Sequence, residues 1–182
     1  MNGKELSTLL IRYTVLIVLG LFNLVAFYYI FTPLTIYPAF FFISKIFEDA
    51  VLVSVSPTPA VLFNGYIARI IPACIAGSAY YLLLILNLTT PMNAGKRAGS
   101  IFFLFASFLV LNIARITLFA ALVPVGFEYF DATHEFTWYF GSTIMVVVIW
   151  FANVLIFKIR EIPVYSDLKS FYIDIRGKKD GN

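Results

Sequence analysis

Three side chains in this sequence are of types that do chemistry and are scarce enough to be informative. Cys74 is the one cysteine and His134 the one histidine. Arg115 interrupts an apolar run, LVLNIARITLFAAL. A thiol is a nucleophile as its thiolate, and a nearby cation favours that form. An imidazole can carry protons to and from a reacting group. Arginine donors can stabilise a developing oxyanion where water is excluded. Thiol, imidazole and guanidinium are together the parts of an acyl transfer. Each also has a plainer reading: a small buried hydrophobe for Cys74, a snorkelling or ion-paired side chain for Arg115, and a solvated interfacial ring for His134.

The elements that must position these residues are set by composition. The chain has 182 residues, 61% hydrophobic and 13% charged. A soluble domain is about 45–50% apolar and about 25% charged, so lipid has to be part of the solvent here. Aromatic side chains, 18% of the total with 20 Phe and 11 Tyr, suit lipid-facing surface and interfacial belts. The expected fold is an all-α polytopic membrane protein of about four transmembrane helices, carrying a small extracytoplasmic helix and strand cap. A span needs about 20 apolar residues. The spans read as roughly 9–32, closed by Pro33; 71–90, opened by Pro72 and closed by Pro91; 100–123, closed by Pro124; and 137–157. Together they make a single membrane domain over 1–163, followed by a cytoplasmic tail over 164–182. The N-terminal run is too long for a signal-peptide core and reads as a retained helix.

Counting Lys and Arg gives an orientation. Ten basic residues fall in the N-terminus, the 91–99 loop and the tail, against Lys45 and Arg69 on the other side. By the positive-inside rule both termini are cytoplasmic, and 33–70 and 124–136 face outside. The basic residues flank spans, which argues against nucleic acid as a partner. Within 33–70, YPAFFFISKIFEDAV reads as a short interfacial helix. VLVSV, PAVLF and YIARI read as strands, with Asn64-Gly65 as a hairpin turn between two apolar runs.

With this topology, all three candidates fall in the outer layer. Cys74 lies about 5 Å inside the second span at helical rise. Ser78 and Tyr81, at i+4 and i+7, continue its face, so that face is expected to point into the bundle. Arg115 lies about 12 Å below the outer boundary, where an arginine costs at least about 2.5–3.5 kcal/mol and usually serves a function. Asn112, three residues earlier, is placed to hold the guanidinium by a side-chain hydrogen bond. His134 precedes the fourth span, and Glu128, Asp131 or Glu135 is available to orient its ring. One cysteine excludes an internal disulfide and a Cys-pair metal site. The sequence gives no sign of a metal or an organic cofactor.

Three stretches, IPACIAGSAYYLLLIL around Cys74, NIARITLFAAL around Arg115 and ATHEFTWYFGSTIM around His134, resemble the archaeosortase/exosortase superfamily of membrane transpeptidases. The resemblance covers about residues 60–157. It implies an enzyme of the cell membrane that cleaves a C-terminal sorting signal of secreted proteins, outside the membrane. That signal is a short motif, an apolar helix and a basic cluster. The new C-terminus passes to an acceptor, a lipid in the archaeal branch. The resemblance implies Cys74 as nucleophile, Arg115 as the helix arginine, and His134 at a position held by arginine in some branches. The order Cys74-Ile75-Ala76-Gly77 departs from the family's usual Ser or Thr and then Gly after the cysteine, and four spans are fewer than many relatives have. The compact size and basic tail look more archaeal than bacterial. The alternative reading is a non-enzymatic small transporter or assembly factor, in which Arg115 binds an anion or pairs with a carboxylate and Cys74 only packs.

Overall fold

The computed structural model describes residues 3–21, 24–53, 58–126 and 128–159; the expected tail, 164–182, lies outside them. Four helical stretches are long and apolar enough to cross a membrane: Val25–Ile46, Pro72–Thr89, Ala94–Leu122 and Ala132–Ile156. An all-α membrane bundle of four such helices is thus what the chain builds.

The first span is not where the sequence suggested. The run 9–32 is split into α1, Gly3–Leu21, and α2, Val25–Ile46. Leu24 takes a left-handed backbone at the break, φ 57°. α2 then passes through both Pro33 and Pro38, so Pro33 is no stop. A proline deletes one backbone hydrogen bond, and a helix packed among others keeps its course regardless. Here Phe31, Thr35, Ile36 and Ala39 are all buried. Of the segment expected as a separate interfacial helix, residues 37–46 are the C-terminal part of α2, at the end toward the sheet.

The second span is likewise in two pieces, α3, Pro72–Ile75, and α4, Gly77–Thr89, with Ala76 left-handed between them at φ 56°. α5 covers Ala94–Leu122. The last span begins earlier than expected. It opens with α6, Phe130–Phe136, passes through a π-helical turn, Thr137–Gly141, and ends as α7, Ser142–Ile156. α1 lies along α4, where Arg12 donates to the Leu88 carbonyl at 2.9 Å and Tyr81 to the Leu16 carbonyl at 2.7 Å.

The cap is a three-stranded antiparallel sheet of β1, Val51–Val53, β2, Ala60–Phe63, and β3, Tyr66–Arg69, in that order. Asn64 and Gly65 turn β2 into β3 with φ 47° and 77°. That pair of positive values is the type I′ geometry whose twist matches a hairpin. Phe63 is buried and stacks on Phe47 at 4.9 Å. The hairpin is tied down where the Asn64 N–H donates to Asp49 Oδ2 at 2.6 Å.

Between the two ends, the core is largely aromatic. Tyr80 stacks on Phe31 at 3.6 Å and meets Phe105 and Phe108 edge-on. At the end away from the sheet, Asn87 donates to Ser100 at 2.6 Å and Ser100 to Asn153 at 2.8 Å. Arg97 donates to the carbonyls of Asn87, Thr90 and Met92, closing the last turn of α4. Arg12 and Arg97 therefore mark one end of the bundle and the sheet marks the other.

Candidate functional site

A cavity of about 510 Å³ opens at the sheet end, enclosed by β3, α3, the last turns of α5, and α6. Cys74, Arg115, His134 and Glu135 all line it. Most of the remaining wall is apolar, including Ile43, Val61, Ile70 and Phe119. The size falls within the about 300–1,000 Å³ usual for ligand pockets.

Cys74 sits on α3, a single turn that exists because Pro72 starts it and Ala76 ends it. The left-handed Ala76 places Gly77 against the Tyr28 ring, where an added Cβ would lie 2.9 Å from Tyr28 Cζ. In an uninterrupted helix the Cys74 carbonyl would accept from the N–H of Ser78. The break removes that donor, and Asn112 replaces it: its Nδ2 donates to the Cys74 carbonyl at 2.8 Å. Asn112 thus holds the backbone of Cys74 and not the Arg115 guanidinium that the sequence spacing had suggested. The same break rotates Ser78 to the exposed surface and Tyr81 toward α1. Neither continues a polar face from Cys74 into the bundle. Ser78 and Tyr81 would share a face with Cys74 only on one unbroken helix.

Arg115 is half-buried, and its Nη1 donates to Ser142 Oγ at 2.9 Å. The guanidinium also lies close enough to Cys74 for the two groups to interact electrostatically. His134 is helical, on α6, not in a loop before the span. Its ring lies against Phe130, stacked at 5.7 Å, and Phe119, edge-on at 5.1 Å. Among the described residues, phenyl rings rather than a neighbouring carboxylate orient it. Glu135 reaches the cavity, while the side chain of Asp131 lies outside the described set.

The π-helical turn explains how α6 and α7 can both serve the site. In a continuous α-helix, positions 134 and 142, eight residues apart, would differ by about 80°. A wider i→i+5 turn takes up about one extra residue and brings them back to roughly one face. His134 then reaches the cavity while Ser142 reaches Arg115. Gly141 permits the turn, since a Cβ there would meet Thr137 Cγ2 at 2.8 Å.

Sequence reasoning did not pick out Arg69, Thr137 or Ser142 as site residues. Arg69 had counted only toward topology, yet it ends β3 at the cavity wall, so a second cation faces the same space as Arg115. Its signal was legible: a charged residue at the end of an apolar strand five positions before the cysteine. The chain matches no protein-family model, no curated protein and no solved structure.

Proposed function

We propose that the protein is a membrane-embedded cysteine transpeptidase of the archaeosortase/exosortase type. One observation carries this reading: a thiol, a guanidinium and an imidazole from three separate elements line one cavity at one end of a lipid-length bundle. Cys74 passes its thiol proton to His134, and the thiolate Sγ attacks the carbonyl carbon of a peptide bond in a substrate's sorting motif. Arg115, anchored by Ser142, stabilises the negative charge on the thiolate and then on the tetrahedral oxygen. The C–N bond breaks as His134 gives a proton to the leaving amine, which leaves a thioester on Cys74. The acceptor, an amine or hydroxyl of a lipid head group, loses its proton to His134 and attacks the thioester. The C–S bond breaks and the thiolate returns. Glu135, beside His134, adds a carboxylate to the same wall.

The cavity end faces outside the plasma membrane in this reading. The substrate's own apolar helix lies beside the bundle and its basic tail remains inside. Cys74→Ala is expected to abolish processing of secreted proteins bearing such a signal, with melting in detergent little changed. The assay is intact-mass analysis of candidate substrates in cells that carry only the variant. Normal processing there would overturn the mechanism and favour a transporter or assembly factor.

A further inference from the structure

Tyr80 Oη, Thr35 Oγ1 and Asn112 Oδ1 are buried polar atoms with no hydrogen-bond partner among the described residues. All three residues are 0% exposed. They come from three different helices, and helix arithmetic puts them in one layer. The Tyr80 ring lies between Phe31 of α2 and Phe108 of α5. Thr35 is one turn beyond Phe31 toward the sheet, and Asn112 is one turn beyond Phe108 in the same sense. α4 runs the opposite way. A helical side chain leans toward its own N-terminus, so the Tyr80 hydroxyl points outward into the layer of Thr35 and Asn112. The other end of the Asn112 amide fixes the height of that layer, because it holds the Cys74 carbonyl at 2.8 Å.

Buried polar groups in folded proteins are paired as a rule, and those not paired to protein are commonly paired to an ordered water with two to four partners. Two hydroxyls and one amide oxygen are such a partner set. We propose that a structural water bridges Tyr80, Thr35 and Asn112, and that through Asn112 this bridge fixes the backbone of Cys74. Tyr80 and Thr35 are then positioning residues for the thiol. The water can donate to Asn112 Oδ1 and to one hydroxyl, and accept from the other. The positioning role rests on Cys74 being the reactive group; the water site does not.

Two readouts test this on the full-length protein in detergent: the melting temperature, and the rate at which iodoacetamide alkylates Cys74, followed by intact mass. Tyr80→Phe and Thr35→Val each delete one hydroxyl without changing shape much. If the water is present, each lowers Tm by about 3 °C and changes the alkylation rate at least about 3-fold. The double variant then falls little further, because the first deletion already releases the water. Pairing each change with Asn112→Leu gives the same non-additivity. A Tm that stays or rises in Tyr80→Phe would mean the hydroxyl is truly unpaired, which overturns the water. Additive losses, or coupling confined to one pair, would overturn it too. Coupled losses in Tm with unchanged alkylation would overturn the positioning role. If wild-type Cys74 is itself inert to iodoacetamide, the transpeptidase reading fails, and the melting data still decide the water.

Discussion

Replacing Arg115 by alanine is expected to slow alkylation of Cys74 by iodoacetamide about 3-fold near neutral pH. The size follows from the site. A cation within about 4–6 Å favours the ionised form of an acid by roughly 10- to 1,000-fold. Arg115 is half-buried and tethered to Ser142 at 2.9 Å, so its charge stays at the cavity but is partly screened. That places the effect at the low end, about 10-fold. A better stabilised thiolate is a weaker nucleophile, with a Brønsted slope of about 0.4–0.5, which offsets about 3-fold of the gain. About 3-fold remains. The assay is a time course of intact mass at several pH values, so that ionisation and intrinsic reactivity separate. Arg115→Lys keeps the charge and should fall between wild type and alanine. Ser142→Ala, which loses only the anchor, should do the same. Equal rates in wild type and a folded Arg115→Ala protein would refute the reasoning, because Cys74 would then owe nothing to the cation beside it.

Arg69→Gln is expected to lower the ratio of iodoacetate to iodoacetamide rates at Cys74 several-fold while leaving the iodoacetamide rate alone, since Arg69 lines the cavity while the charge acting on the thiol itself is that of Arg115; an unchanged ratio would show that Arg69 does not act on ligand charge. Asn153→Ala removes the acceptor of a buried 2.8 Å bond from Ser100 and should cost about 1–2 kcal/mol, read as a drop of roughly 2–8 °C in detergent melting. Gly65→Ala has open space around the new methyl but a φ of 77°, so about 1–2 kcal/mol of backbone strain is expected, with Cys74 reactivity preserved; a loss of reactivity would place the hairpin in control of the site.

Much of this protein is legible without coordinates. Apolar runs of lipid length fix the number of spanning helices, because a helix satisfies its backbone groups within its own segment. Asn64-Gly65 fixes the hairpin because few residue pairs accept two positive φ angles. The rarity of Cys74 and His134, and the cost of an arginine at depth, single out three residues that prove to line one cavity. What sequence alone could not give is where helices break. Leu24 and Ala76 are ordinary helix formers held left-handed, while Pro33 and Pro38 sit inside a helix that continues. In both cases packing outweighs a local preference of a few kcal/mol at most. Those breaks then decide the finer chemistry. Because α3 ends after Cys74, Asn112 serves the thiol's backbone instead of Arg115, and Ser78 turns outward. The wide turn after His134 aligns two residues that an ideal helix would separate. Residue types and their cost in lipid are properties of the chain, whereas the partner each polar atom finds depends on which helices lie beside it, and only the packed bundle fixes that.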